Sequence, residues 1–510
     1  MSVTLTPSTY QQAIYDWITE GTGSAVVVAV AGSGKTTTGI EGLRRKSRTE
    51  AAQFFAFNTA IAEELKARVA SIPHVRASTF HAAGYGTLCR HLGMQRIPVM
   101  KGRSKLWGLC EDDGWLSRRQ VYRYADFLVE LVSLAKGEGL GAISSAAAPA
   151  WKALIDHHGL TIEGVPDDQL SAAEAEGIEL ARVLLERSVA AAESEFAIDF
   201  DDMLYLPLKW NLELTRTPWV LVDEAQDTNP VRRAIVERSL APGGRLIAIG
   251  DPHQAIYGFT GASIDAIDQI AATFHTTSVP LSVCYRCARA VVEAAQVIVP
   301  EIEPAPGAIA GSVETWPTRG IARLSPQDVI LCRNTAPLVR AAYWLIAQGI
   351  GCVILGKEIG EGLVRLVRRL KATSIDDLEA RLAAYQAREG QRLRDKGELG
   401  QAFTLDDRCT CIRTVIQGQA PETVEELTAA LTRLFEDDTT GRLTLSTIHK
   451  AKGREWPTVA ILHPELMPSL WAEQPWEQQQ ETNLRYVAIT RARERLIWLE
   501  GKLATAQQED

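Results

Sequence analysis

One stretch restricts the fold of this chain more than any other: Val26-Val27-Val28-Ala29-Val30-Ala31-Gly32-Ser33-Gly34-Lys35-Thr36-Thr37. Its run of small and β-branched apolar residues predicts a buried β-strand. Gly32 and Gly34 predict a turn where a Cβ would clash. A helix opening at Lys35 and Thr36 then aims its unpaired N–H groups and positive dipole end at that turn. Strand, turn and helix in this order make a cradle for polyphosphate. Ala31 through Thr37 would surround the phosphates, Lys35 would reach the β- and γ-phosphates, and the Thr36 hydroxyl would ligate Mg²⁺. The position that opens the usual motif with glycine is Ala29 here. The implied ligand is a nucleoside triphosphate with Mg²⁺.

With 510 residues the chain is too long for one core, and three or four compact units are expected. The net charge of −9 argues against a surface coated in positive charge, while leaving room for a local basic channel. Eight cysteines and no apolar N-terminal segment of signal type point to a reducing cytoplasm and away from a membrane.

An α/β pattern recurs along the chain. Gln53–Phe57 and Val75–Ser78 read as strands, with a helix from Asn58 to Val69 between them. From about 90 to 195 the pattern becomes helical, with Val121, Tyr124, Leu128, Leu131 and Leu134 at helical spacing and an Ala-rich separator at Ser144–Ala150. Strands return at Trp219–Glu224 and Arg245–Asp251. Near Thr277–Val283 the chain is expected to cross into a second α/β unit with strands at Asp328–Cys332, Cys352–Leu355, Leu443–Thr447, Thr458–Leu462 and Leu496–Leu499. A charged helical stretch at 373–440 interrupts it. The predicted organisation is a first α/β domain over 1–89 and 196–277, a helical insertion over 90–195, a second α/β domain over 278–372 and 441–510, and a small helical insertion over 373–440. No further domain is expected after the last strand.

Asp223 and Glu224 end an apolar strand. In a phosphate-loop protein the first carboxylate binds Mg²⁺ opposite the loop hydroxyl, and the second orients or deprotonates the attacking water. A glutamine ahead of the loop strand can read an adenine edge, because its amide both donates and accepts. Gln11 is the first candidate for that role and Gln12 the second.

Asp223-Glu224-Ala225-Gln226-Asp227, taken with Ala29–Thr36, resembles the UvrD/Rep/PcrA-type superfamily 1 DNA helicases. Further segments follow in that family's order: Thr79-Phe80-His81, Asp199-Phe200-Asp201-Asp202-Met203, Gly250–Phe259, Tyr285-Arg286, Leu445–Glu455 and Tyr486–Ala492. The resemblance spans nearly the whole chain. It implies two RecA-like parallel-sheet motor domains, each interrupted by a mainly helical insertion. It implies that Arg286 and Arg491 act on the γ-phosphate from the second motor domain, so that ATP closes a cleft and hydrolysis releases it. It also implies that Gln254 senses that phosphate, that Tyr285 stacks on adenine, and that Gly453 and Glu455 lie at the nucleotide, with Glu455 on the ribose. Movement along one strand would run 3′→5′.

Aromatic rings hold bases without reading sequence. Tyr257 and Phe259 are the first stacking candidates. Phe57, Phe80, His81 and His449 are further candidates to line the track, and Asn58, Thr79 and Thr447 to donate to phosphates. The partners so implied are single-stranded DNA and single/double-strand junctions, with a nuclease or repair factor as a protein partner. Thr59, Thr260 and Cys284 replace the Lys, Arg and Asn frequent in the family, and the span between the fourth and fifth motifs is short. Translocation is therefore the firmer expectation and autonomous unwinding the weaker. Two alternatives compete: a motor subunit that works only with a partner, and a phosphate-loop kinase or switch that never touches DNA. Cys284 and Cys287 have metal-ligand spacing, with Cys409 and Cys411 as conceivable companions, but the first pair brackets residues assigned to the nucleotide and no metal is expected there.

Overall fold

In the computed structural model, residues 6–503 are described, except 113, 163, 164, 166, 259–264, 396–398, 471, 473 and 502. The chain divides into two compact units, Met1–Ala29 with Gly34–Leu281, and Val30–Ser33 with Ser282–Asp510.

The first unit is built on strands β1 (Ala25–Ala29), β2 (Ala52–Ala56), β3 (Val75–Thr79), β4 (Thr217–Val222), β5 (Leu240–Gly250) and β6 (Thr277–Leu281). They form one sheet in the order β3-β2-β4-β5-β1-β6, with every neighbour parallel. Parallel strands buried on both faces need continuous apolar runs, and β1 and β4 supply them as Ala-Val-Val-Val-Ala and Trp-Val-Leu-Val. One face packs Ile14, Ile40, Leu43 and Leu65; the other packs Phe80, Leu204, Ile235 and Ile270. Registers Val28↔Gly250 and Val222↔Ala248 bring the carboxyl ends of β1, β4 and β5 side by side. Ligands of open α/β sheets gather at such ends. The β6 segment, expected at the crossing into the second unit, pairs with β1 as the edge strand of the first sheet.

The helical stretch of the first unit comprises Ser104–Glu111, Arg118–Glu138, Ala148–His158 and Asp167–Ser194. Arg118–Glu138 starts at a Ser117/Gln120 capping box and stops at Gly139, whose φ of +71° suits glycine. The expected Ala-rich separator ends earlier than the sequence suggested, because Ala148 and Pro149 open a helix. Leu128, Leu131, Trp151 and Leu184 form the core between these helices. Beneath them lies a fully buried ion cluster: Lys136 Nζ is 2.8 Å from Asp199 Oδ2 and 2.7 Å from Asp202 Oδ1. Lys105 Nζ reaches Asp202 Oδ2 at 2.5 Å and donates to the Ser188 carbonyl at 2.7 Å.

In the second unit, β7 (Val283–Cys284) pairs with β8 (Glu303–Pro304). Strands β9 (Ser312–Pro317), β10 (Val329–Cys332), β11 (Cys352–Ile354), β12 (Leu443–Thr447), β13 (Trp456–Leu462) and β14 (Ala492–Glu500) form a second parallel sheet, ordered β11-β12-β10-β13-β14-β9. Two parallel six-stranded sheets are the α/β architecture that the sequence predicts. The edge strand β9, Ser-Val-Glu-Thr-Trp-Pro, alternates in exposure and carries no continuous apolar run for sequence reading to detect. The charged stretch after 373 forms helices Ile375–Asp395, Leu399–Gln419 and Val424–Leu434. Their Leu378, Leu382, Ile412, Val415 and Leu431 join one core with Leu338, Val339 and Leu345, so these helices pack on the second sheet's own layer. Their arginines are largely spent locally, Arg381 on Asp377 and Arg394 on Asp406. Among the described residues no helix is long and apolar enough to cross a membrane.

Candidate nucleotide site and strand track

The phosphate loop leaves β1 with left-handed glycines, φ +69° at Gly32 and +79° at Gly34. The Ser33 hydroxyl closes the turn on the Val30 carbonyl at 2.9 Å. Gly34 caps helix Lys35–Arg45 with no side-chain hydrogen bond. The first N–H groups of that helix therefore face the loop without a side-chain cap, which suits an anion.

At the end of β4 the Asp223 carboxylate accepts the Thr36 hydroxyl at 2.7 Å. Burial, reinforced by the charge of Glu224, pushes the Asp223 carboxyl up to about 6, against the pull of Thr36 and Lys35. A buried carboxylate that resists ionisation beside a hydroxyl is a hard-oxygen donor set that a divalent cation satisfies. Mg²⁺ therefore fits Thr36 and Asp223. Lys35 Nζ stands 3.9 Å from Glu224 Oε2. Glu224 itself has φ +52°, an unusual conformation for a side chain other than glycine. Held strain of this kind concentrates at functional sites.

A polar chain runs from these acids into the next strand. Gln226 Nε2 donates to Glu224 Oε2 at 2.6 Å, and the Asp251 N–H donates to Gln226 Oε1 at 3.0 Å. Gln254 Nε2 donates to Asp251 Oδ2 at 2.6 Å. Burial raises the Asp251 carboxyl, opposed by Lys35. Sequence reading selected Glu224 and Gln254 but passed over Gln226 and Asp251, which connect them. Their signal is present in the Asp-Glu-Ala-Gln-Asp and Gly-Asp-Pro-His-Gln segments, where only Asp223, Glu224 and Gln254 carry predicted roles.

Three residues after Gln254, the Tyr257 ring lies parallel to Phe57, with centroids 6.1 Å apart and planes 3° apart. The Arg232 guanidinium covers Phe57 at 4.7 Å. His81 stacks on the half-exposed Phe200 at 3.7 Å. Burial, then the charge of Arg232, pushes the His81 imidazole down to about 3, so it is a neutral ring at neutral pH. Phe80 is 2% exposed and stacks on Phe55 inside the core at 4.5 Å. Its ring faces the sheet, and the expectation that it lines the track meets a core aromatic. Asn58 and Thr79 cap helices: Asn58 Oδ1 accepts from Ile61 N at 2.9 Å and Thr79 Oγ1 from Ala82 N at 3.0 Å. Those oxygens are committed as acceptors within the fold. Phe259, the other leading stacking candidate, lies outside the described residues, as does Thr260.

Gln11 is held twice. It completes the capping box with Ser8, and its Nε2 donates to Thr38 Oγ1 at 3.1 Å. These bonds hold its amide against the helix that follows the phosphate loop. Gln12 instead donates to Asp16 at 2.6 Å on the exposed face.

In the second unit, Arg286 pairs with Glu455 and also donates to the Thr490 carbonyl at 3.5 Å. The partner of Glu455 is thus an arginine expected at the γ-phosphate. Arg491 is 1% exposed, donating through Nε to the Val487 carbonyl at 3.1 Å and through an Nη to the Arg454 carbonyl at 3.2 Å. Tyr285 is 44% exposed, an open ring suited to stacking. Gly453 has φ +84°. Thr447 is buried at the end of β12, and burial, then Arg333 and Lys452, pushes the neighbouring His449 down to about 3.

Fold and site together define a phosphate-loop α/β protein with two parallel-sheet units. Residues 10–275 match the UvrD/REP helicase N-terminal domain and residues 407–500 the UvrD-like helicase C-terminal domain. The first match alone covers more than half of the chain, which belongs to the UvrD/REP helicase family. It is similar to DNA helicase IV of Escherichia coli K12, 28% identical over 284 residues that cover 48% of this chain and 40% of that protein. It is also similar to F-box DNA helicase 1 of Gallus gallus, 23% identical over 515 residues, 94% of this chain and 48% of the relative. A shorter stretch of 80 residues is 44% identical to the RecBCD enzyme subunit RecB of Mycobacterium tuberculosis H37Rv, 16% of this chain and 7% of that subunit. The chain spans less than half the length of each of these relatives.

Proposed function

We propose that this chain is an ATP-dependent single-stranded-DNA translocase and DNA helicase that moves 3′→5′. The observation that carries the reading is the polar chain Glu224–Gln226–Asp251–Gln254, which runs from the phosphate-loop acids to the segment bearing Tyr257. Any change at the γ-phosphate that alters the hydrogen bonds of Glu224 is transmitted to an aromatic pair suited to hold bases. Lys35 and the uncapped helix start bind phosphate oxygens, Glu224 orients and deprotonates water, and Gln254 reports the phosphate. Bound Mg²⁺, held by Thr36 and Asp223, supplies charge neutralisation to the phosphates. Arg286 and Arg491 complete the charge stabilisation, a contribution of roughly 10³–10⁵ in rate for such arginines. Tyr285 and Glu455 hold the nucleoside. The direction of movement rests on the family resemblance alone.

ATP hydrolysis without nucleic acid, with single-stranded DNA and with blunt duplex tests the reading. Strong stimulation by the single strand is expected, and tailed duplexes then report polarity. A kinase or switch would ignore the strand. Affinity for the strand is expected to fall linearly in log–log form with salt, by roughly 0.7 per phosphate contact; a flat dependence measured by fluorescence anisotropy would remove the phosphate contacts from the reading. Tyr257→Ala is expected to weaken single-strand affinity by about 1–3 kcal/mol while sparing hydrolysis without DNA, and an unchanged Kd would take the Phe57–Tyr257 pair off the track.

The stretch shared with RecB favours a second reading, a motor subunit that needs a nuclease or repair factor to turn over. Hydrolysis that stays low with DNA alone and rises on addition of such a factor distinguishes it.

A further inference from the structure

We infer that Arg232 is a positioning residue: it ties the Phe57 ring to the turn that follows Glu224, so that both rings of the Phe57–Tyr257 pair answer to the nucleotide. The inference rests on the proposed reading of that pair as a hold for single-stranded DNA.

The short turn Ala225–Asp227 leads through Thr228 and Asn229 into helix Pro230–Ser239. Asn229 Oδ1 accepts the Arg232 N–H at 3.0 Å, which places Arg232 in the first turn of that helix. Helical side chains lean toward the N-terminus, so a long one in the first turn reaches back over the segment before it. Arg232 does this. Its Nη1 donates to the Asp227 carbonyl at 2.7 Å, and its guanidinium lies over the Phe57 ring, 4.7 Å from the centroid. Its Nε is buried and has no hydrogen-bond partner among the described residues. A buried donor left unmade costs free energy. The guanidinium is therefore not placed to make the most hydrogen bonds, and the contact its position does make is with the face of Phe57. Burial lowers the guanidinium below its ordinary range, opposed by Asp227 and then by Asp201, and an arginine remains charged there.

Phe57 follows the end of β2, next to the strand that carries the acids. Phe55 pairs with Val222, and the Asp223 N–H donates to the Phe55 carbonyl at 3.0 Å. Tyr257 follows a segment already joined to the same turn through Gln226, Asp251 and Gln254. Arg232 supplies the second arm. From the turn, one arm runs Gln226–Asp251–Gln254 to the Tyr257 segment, and the other runs Asp227–Arg232–Phe57. The two parallel rings close the circuit.

The circuit has a mechanical consequence. A shift of the turn that moved Tyr257 alone would spoil the alignment of the rings. With Arg232 in place, Phe57 is drawn the same way, and the pair responds as one body. Strand affinity then depends on the nucleotide, and by linkage nucleotide affinity depends on the strand by the same factor.

Equilibrium binding of fluorescein-labelled oligothymidylate to the full chain, followed by anisotropy with and without Mg²⁺ and a non-hydrolysable ATP analogue, provides the test. In the wild-type protein the two Kd values are expected to differ, couplings of this kind being about 5–150-fold. Arg232→Met keeps an apolar stem but removes the planar cation and its donors. It is expected to shrink the ratio of the two Kd values by at least about twofold, the least that contacting residues commonly contribute to one another. Arg232→Lys keeps a cation near Asp227 but neither the flat face nor the fork, and is expected to shrink the ratio as Met does. In a Phe57→Ala background, Arg232→Met is expected to change the ratio no further, because the arginine acts through that ring. Thermal unfolding of each variant is followed alongside, since an arginine that only supports the fold would lower stability and leave the ratio alone. An unchanged ratio in Arg232→Met overturns the inference. So does a wild-type ratio in Arg232→Lys, or a further loss when Arg232→Met is added to Phe57→Ala. If Arg232→Met does not fold, Arg232→Lys and its combination with Phe57→Ala decide. Wild-type protein that binds the strand with one Kd, with or without the analogue, overturns it as well. Wild-type protein that binds no strand at all defeats the functional reading itself, and the inference with it.

Discussion

Lys35→Ala and Glu224→Gln are both expected to abolish ATP turnover, by different routes. Lys35 is the cation among the phosphate-loop acids, 3.9 Å from Glu224 and acting on both Asp223 and Asp251. Its loss leaves a concentration of negative charge where phosphate must sit, so ATP affinity falls together with rate. Glu224→Gln keeps the shape and accepts the Gln226 amide through its remaining oxygen, but it cannot take a proton from water. General-base removal costs about 10²–10⁴ in rate, with ATP binding retained. Single-turnover hydrolysis together with equilibrium binding of a fluorescent ATP analogue separates the two. Fast hydrolysis by Glu224→Gln would remove this residue as the base, and undiminished nucleotide binding by Lys35→Ala would take the lysine out of the phosphate site.

The second large effect is expected far from the nucleotide, in the buried ion cluster. Asp202 accepts from Lys105 and Lys136, both almost without solvent exposure. Asp202→Ala leaves these lysines short of their counter-charge in the core and is expected to destabilise the first unit by about 3–5 kcal/mol. The exposed pair Lys152–Asp156 is the control, since Lys152→Ala should cost less than about 1 kcal/mol. Denaturant unfolding followed by the fluorescence of buried Trp151, in the same helical core, reads both. Equal costs for the two variants would mean that water reaches the cluster. The pH dependence has a defined sign. Burial alone raises the Asp202 carboxyl, but Lys136 and Lys105 pull it below the usual carboxylate range. Its contribution is therefore present above the unfolded value, about pH 4, and is lost as pH falls through the lower folded value.

The same cluster shows where sequence reading stopped. Asp199 and Asp202 stood in a segment matched to the family, but their lysine partners lie 63 to 97 residues away in helices that composition presents as ordinary amphipathic surface. Nothing local in Lys105 or Lys136 announces burial, because a lysine at a core position is readable only once its carboxylate is in place. Strand β9 escaped for a related reason, since an alternating edge strand lacks the continuous apolar run that identified β1 and β4. Phe80 illustrates the reverse error. It sits beside Thr79 and His81 in a segment matched to the family, but the helix that starts at Phe80 turns its ring into the core against Phe55.

The sequence by itself determined the phosphate loop, the acids that follow it, the order of the motifs and the α/β class. These properties are carried by residues close together in the chain, where glycine conformations, apolar runs and helix starts act over a few positions. Only the tertiary structure decided that Gln226 and Asp251 join the acids to the Tyr257 segment, that Gln11 is held on Thr38, and that Lys105 and Lys136 meet Asp202 in the core. Those contacts depend on parallel strands placing their carboxyl ends together and on turns closing in space. A side chain's burial and its hydrogen-bond partner set its charge state, and distant parts of the chain supply both.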